Sequence, residues 1–339
     1  MLVLVPPCAA RMPPLLKRES PTAETPGKRA KSEWKPDRGY QPLGFCAFVA
    51  ERQAVHARRQ EGLPQAKWTE DAVLQHGRFC CIDRRDDAVT RELLDVLGQL
   101  PSDELKVTLA IVLRFTSSRR GSAHEIASLL NEGGSSKDGT PIAAALIGDQ
   151  IKCGQGTYQM TLNRKQIANR AERCAKRVVE CVAEQGPFED VAGATAFIAE
   201  QMALRKQDGD SCRDMLPSFS AAETAKDLAY VGGMLHADAS KHCRLGPGAR
   251  AGLSHVVARE PELLGGDGPR DDEARVAVLC SKLRATRGTD GCQRLAWIEP
   301  IDVEQALCEF SKYLRYVSEG VKGSTFFEPG LRAAVPPKA

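Results

Sequence analysis

The chain has 339 residues, of which 42% are hydrophobic and 27% charged. That is material for one large domain or two small ones, and it is the makeup of a water-soluble globular protein rather than a collagen-like or disordered chain. An aromatic content of 5% excludes an extended array of base-stacking rings, and a net charge of +3 is too small to make the whole surface a polyanion binder.

The charge is unevenly spread. Residues 1–40 carry eight Lys/Arg against four Asp/Glu, while the remainder is net −1. The same forty residues hold seven of the twenty prolines and show no amphipathic period, so they are expected to form a disordered basic tail. Within it GKRAK (27–31) reads as a short import or polyanion-binding cluster, or as a solvated linker. The opening MLVLVPPCAA is too short and proline-rich for a signal peptide, and no apolar run approaches a membrane span. The expectation is an intracellular protein without a membrane partner, nuclear if the source is eukaryotic.

From residue 43 the pattern is helical. In FCAFVAERQAVHARR (45–59), Phe45, Phe48, Val49 and Val55 share one face, and Arg52 and Arg59 fall on that same face. A guanidinium on an apolar stripe is costly unless paired. Both are expected to point inward, either into structural ion pairs or toward a bound anion such as a phosphate. Asp86 or Asp87 is placed to cap a helix through Val89, Leu93, Val96 and Leu97. LKVTLAIVLRF (105–115) is nearly continuous in apolar residues and is expected to be a buried helix, followed by a loop at GGSSKDGTP (133–141). Ile167, Ala171, Cys174, Val178, Cys181 and Val182 recur at three and four along 163–185, opposite a basic face that includes Arg164, Lys165, Arg170, Arg173, Lys176 and Arg177. A further helix is expected over about 189–206, and another entered through LPSFSAAETAKDLAYV (216–231).

RLGPGARAGLSHV (244–256) reads as a tight turn feeding a helix N-terminus. Backbone N–H groups there hold phosphates, glycine admits close approach, and Arg250 adds charge. Residues 259–292, rich in Gly, Asp and Arg, are expected to be an irregular insertion. IDVEQALCEFSKYLRYV (301–317) predicts a helix with Asp302 as N-cap and Gln305 as its capping-box partner, and with Val303, Leu307, Phe310, Leu314 and Val317 as the buried stripe. Residues 327–339 are expected to be a disordered C-terminus.

The chain lacks GxxxxGK[ST], and with it a P-loop kinase; it also lacks GxGxxG after a strand. The twelve cysteines form neither CxxC nor any other zinc spacing, so reduced thiols and no metal are expected. Twelve Cys and six His give no Cys-His or Ser-His-Asp pattern beyond chance, and no motif names a cofactor.

Six blocks occur in order: FxxFxxERxxVxxRR, WTxDxxL, RFxxxxRxxDxVT, Asp227-Leu228, GPGARxGL and DVExALCEFxKYxR. Together they resemble the helical domain of 5-hydroxymethyluracil DNA kinase, a group also called the α-glutamyl/putrescinyl thymine pyrophosphorylases, over about residues 43–326. That domain is similar to helix-hairpin-helix DNA glycosylases. The resemblance implies an all-α, two-lobed helical domain with lobes at about 41–150 and 151–326. It implies DNA as partner, with a separate kinase or oxygenase of a base-modification pathway, and group transfer or cleavage at a hypermodified thymine or 5-hydroxymethyl pyrimidine. The alternative is a non-catalytic DNA-binding module. Carried onto this sequence, it points to Asp238 and Asp227 as catalytic carboxylates. Gly246, Gly248, Arg250, Arg52, Arg59, Arg78 and Arg84 would hold DNA or phosphate, and Trp68, Asp71, Asp87, Glu304 and Lys312 would line the pocket; Thr90 and Glu309 belong to the same blocks. Cys81 stands where the family pattern has Asn, Asp83 where it has Tyr, and Ser218 and Ser220 replace glycines of the first hairpin.

Overall fold

The structure is a computed structural model that describes residues 33–116, 122–132, 164–203, 218–230, 243–265, 269, 271–285 and 295–322. The tail to residue 32, the loop at 133–141, Asp238 and the C-terminus from 327 lie outside the described residues.

Eleven helices and one two-residue strand pair make up the described body. In chain order they are β1 (Glu33–Trp34), α1 (Phe45–Gln60), α2 (Ala72–His76), α3 (Ala88–Leu97), α4 (Asp103–Phe115), α5 (Ser122–Glu132), α6 (Arg164–Gln185), α7 (Val191–Met202), α8 (Ser218–Tyr230), α9 (Pro247–Arg259), α10 (Asp272–Ala285), α11 (Pro300–Glu319) and β2 (Val321–Lys322). A short 3-10 turn, Arg84–Asp86, leads into α3. No helix among the described residues is long and apolar enough to cross a membrane.

The helix starts follow local chemistry. Asp87 caps α3 by accepting from the Val89 and Thr90 amides, and Ser102 caps α4, whose first turn carries Asp103 and Glu104 against the helix dipole. The expected cap of α11 is displaced by one turn. Glu299 is the N-cap, Pro300 follows it, and Asp302 is the reciprocal partner three residues on. Asp302 is thus the second acid of the box and Glu299 the first.

The buried side chains fall into two clusters. One joins α3 through α8, centred on Leu93, Ile111, Leu113 and Ile126. The other joins α1, α2, α9, α10 and α11, centred on Phe45, Phe48, Leu253, Phe310 and Tyr313. The chain thus leaves the second cluster after Ile82 and returns to it at Leu245, and this grouping interleaves the halves expected at 41–150 and 151–326.

Two expectations are corrected. Residues 33–40 are not part of a disordered tail. Trp34 pairs with Val321 in an antiparallel ladder, and the Tyr40 hydroxyl donates to Asp71 at 2.5 Å. Pairing with a strand more than 280 residues away in sequence leaves no local periodicity to read. Nor is 259–292 an irregular insertion. It contains a 3-10 turn at Pro261–Leu264 and all of α10, which buries Val276, Leu279, Cys280 and Leu283. Those four sit at helical spacing, masked by the surrounding Gly, Asp and Arg.

Candidate functional site

A chain of ionic contacts runs along the seam between the two clusters. Arg84, 2% exposed, donates from Nη1 to Glu223 at 2.5 Å, and from Nε and Nη2 to Asp227 Oδ1 at 3.3 and 3.1 Å. Arg114, near the end of the apolar run of α4, donates from Nε to Asp227 Oδ2 at 2.5 Å and from Nη2 to Asp87 at 3.0 Å. The Thr90 hydroxyl adds a bond to Asp227 at 2.7 Å. Lys226 joins Glu223 at 3.1 Å to Glu304 at 2.6 Å, and Glu304 accepts the Gly246 amide at 3.2 Å. The Arg84 backbone amide donates to Asp302. Helices α3, α4, α8, α9 and α11 are thereby tied through charge as well as packing.

Electrostatics follow the geometry. Burial pushes the Glu223 carboxyl up, but Arg84, Lys226 and Arg114 outweigh it and hold the group well below the usual carboxylate range. Burial opposes the charged form of Asp87 too, and Arg114 and Arg84 again bring its pKa below the ordinary value. Lys226 is pulled down by burial and raised further by Glu304 and Glu223, so it stays cationic.

Asp227, fully buried, receives Arg84, Arg114 and Thr90. Four of these five bonds converge on Oδ1, and Oδ2 takes the Arg114 Nε alone. This candidate catalytic carboxylate also anchors two buried guanidinium groups. Its neighbours Glu223 and Lys226 went unread, although ETAKD in an Ala-rich helix puts three charges on one face; a single Arg in LKVTLAIVLRF was an equal signal.

The arginines of α1 differ from each other. Arg52 is buried at 4% exposure, as expected. Arg59 is exposed, its guanidinium 5.0 Å from the Trp68 ring centroid, because α1 has run past the core by then. Trp68 is buried and donates its indole N–H to Leu63. Arg52 Nη2 donates to the Cys80 carbonyl at 3.0 Å and its Cζ lies 5.4 Å from the Phe79 centroid, yet its Nε is buried without a partner among the described residues. Glu309 accepts the Cys80 amide at 2.8 Å and pairs with Lys312 at 2.7 Å; Lys312 also reaches the carbonyl of exposed Arg78. One helical turn beyond Arg52, His56 places Nδ1 3.8 Å from Cys81 Sγ and Nε2 3.1 Å from Asp86. Cys81 and His56 are 25 residues apart and form no sequence motif; the fold makes them a pair. Asp71 caps α2 through Leu74 and accepts from Tyr40 and Tyr313, a structural duty on the face of α2.

The helix start expected in GPGAR forms, and the segment that would lead into it lies outside the described residues. Gly246 is the N-cap of α9, the first turn holds no acid, and Arg244 and Arg250 are exposed. The glycines, however, also serve packing. A Cβ on Gly248 would lie 2.6 Å from Cys308 Sγ, and one on Gly252 would lie 2.0 Å from the Leu307 carbonyl. Small residues four apart let α9 press against α11.

No curated protein and no solved structure matched the chain. The model of the family described as 5-hmdU DNA kinase, helical domain, matches residues 43–120 and 149–323. These stretches contain α1 to α4 and α6 to α11, and with them every described residue of the ionic seam and of the Arg52 group. The chain belongs to the family of the 5-hmdU DNA kinase helical domain.

Proposed function

We propose that the protein acts on DNA carrying a 5-hydroxymethyl pyrimidine or a hypermodified thymine, by group transfer or cleavage at the modified base. The observation that carries this reading is the N-terminus of α9: it has no side-chain cap and no acid in its first turn, and it stands between exposed Arg244 and Arg250. The helix dipole and the two guanidinium groups offer positive charge to a phosphate backbone, while Glu304 holds the Gly246 amide and Pro247 has no N–H. Family membership supplies the DNA base. In this reading the body is related to the helix-hairpin-helix glycosylases, Asp238 is the candidate general base, and a separate kinase or oxygenase prepares the substrate. The target base has to leave the stack to be reached.

The test is binding to duplexes that carry 5-hydroxymethyluracil or thymine, across a salt series, with nucleoside mass spectrometry after incubation with nucleotide and amine donors. Arg250→Gln is expected to weaken binding to both duplexes about equally and to reduce the salt slope by about one. An affinity that does not change with salt, or with Arg250→Gln, overturns the reading. A second reading, a non-catalytic DNA-binding module, is favoured by the pairing of Asp227 with Arg84 and Arg114. It predicts the same binding and no new nucleoside in any donor mixture.

A further inference from the structure

Arg52 and His56 on α1 converge with Cys81 and Asp86 from the segment before α3. Arg52 and His56 are four apart on α1 and so share a face. Both meet the segment Cys80–Cys81, whose backbone is tied at three points: the Cys80 amide to Glu309, the Cys80 carbonyl to Arg52, and the Cys81 carbonyl to Gln305 at 3.3 Å. The thiol of Cys81 is thus carried on a fixed peptide and is half-buried, within reach of solvent.

The hydrogen bonds set the tautomer of His56. Asp86 Oδ2 lies 3.1 Å from Nε2 and accepts its proton, so the ring proton sits on Nε2. That leaves the Nδ1 lone pair facing Cys81 Sγ at 3.8 Å. Burial lowers the His56 pKa, with Arg52, Arg59 and Arg91 acting in the same direction against Asp86, and the ring is therefore a neutral base. Burial raises the Cys81 thiol, Arg52 and Arg91 opposing it and Asp86 and Asp87 adding to it, so the resting pair is thiol and imidazole. This is the order nucleophile, base, orienting carboxylate. The charged group beside it is Arg52, 4% exposed, whose guanidinium is bonded to the peptide that joins Cys80 to Cys81 and whose Nε–H has no partner among the described residues.

We propose that Cys81, His56 and Asp86 form a nucleophilic thiol site, and that Arg52 directs to it a small electrophile bearing an anionic group, a phosphate or a carboxylate next to the reacting carbon. In the step, the Cys81 S–H proton passes to His56 Nδ1. The sulfur lone pair forms a bond to the carbon, and the leaving group departs with its bonding pair. Neither an oxidant nor a metal enters. The site does not depend on the DNA reading above, since it needs no contact with α9.

The adjacent Cys80 is an internal control. Glu309 first, and then burial, push its thiol up, and it has no imidazole base. The experiment treats the native full chain with limiting iodoacetate or iodoacetamide, and the modified cysteines are mapped by peptide mass spectrometry. Cys81 is expected to react ahead of Cys80. Its iodoacetate-to-iodoacetamide rate ratio is expected to exceed that of the urea-unfolded chain at least about tenfold, as a guanidinium nearby favours the anionic reagent. Inorganic phosphate is expected to suppress the iodoacetate reaction and leave iodoacetamide almost unaffected. Arg52→Met should return the ratio to the unfolded value, while His56→Gln should slow both reagents equally. Labelling of Cys81 no faster than Cys80, or a native ratio equal to the unfolded one, overturns the proposal. The phosphate protection needs no variant, so a misfolded substitution does not shelter it.

Discussion

Arg84 and Arg52 are buried almost equally, at 2% and 4% exposure, and their surroundings are opposite. Arg84 meets two carboxylates through its guanidinium, in a seam where each acid also touches a second cation or a helix amide. Arg52 donates to a backbone carbonyl and keeps one N–H unpartnered beside a thiol and an imidazole. A closed charge network fixes the relation of helices, whereas an open one leaves a donor for something that arrives. The contrast separates two kinds of buried charge that look alike in sequence, where each is an Arg near apolar residues.

The sharpest break of the comparison is Asp227→Ala. It removes the carboxylate that Arg84 and Arg114 share, leaving them only Glu223 and Asp87, and is expected to lower stability by about 3–5 kcal/mol, read from the urea midpoint at constant slope. A loss below about 1 kcal/mol would mean that the seam does not act as a unit. Next comes Gly252→Ala. The added carbon meets the backbone of α11, which cannot step aside, so a loss of about 1–3 kcal/mol is expected. Gly98→Ala is the matched control: its Cβ meets nothing within 4 Å and its φ is −63°, so that change should be neutral or stabilising.

Acid tests the seam without mutation. Glu223 and Asp87 have folded pKa values below their ordinary ones. The unfolded chain therefore binds more protons than the folded one below about pH 5, and stability falls as pH drops through that range toward the folded values. The stabilisation is fully present above the unfolded carboxylate range. Denaturation midpoints taken from pH 6 down to 3 should decline, and Glu223→Gln should flatten the decline. An unchanged slope in that variant would remove Glu223 from the linkage.

How much of this was legible depended on whether a signal was local. Helices α1, α3, α6 and α11 were legible from apolar spacing, α4 from its nearly continuous apolar run, and the cap at Asp87 from its place before Val89. The α9 turn was read from Gly-Pro-Gly, but the packing of Gly248 and Gly252 on Cys308 and Leu307 was not, since it needs a partner helix about fifty residues on. The strand at Glu33–Trp34 and the Cys81–His56 pair escaped for the same reason: each depends on a contact that the chain makes only after folding. Arg59 was misread because the apolar stripe that would bury it ends at Val55.

The smallest expected effect completes the comparison. Arg52→Met removes a guanidinium that burial already disfavours, which is why its pKa is lowered in spite of Glu309. The loss is the bond to the Cys80 carbonyl, on a half-buried residue that water can reach. Glu309 is not stranded, because Lys312 and the Cys80 amide still hold it. Methionine fills a similar volume and keeps contact with the Phe79 ring. Net stability should change by less than about 1 kcal/mol in either direction, whereas Arg84→Met, leaving Asp227 and Glu223 without their shared cation, should cost about 3–5 kcal/mol. Urea midpoints of the two variants measure the difference directly. Equal losses would show that Arg52 belongs to a closed structural network after all, and would take the unpartnered donor away from the thiol site.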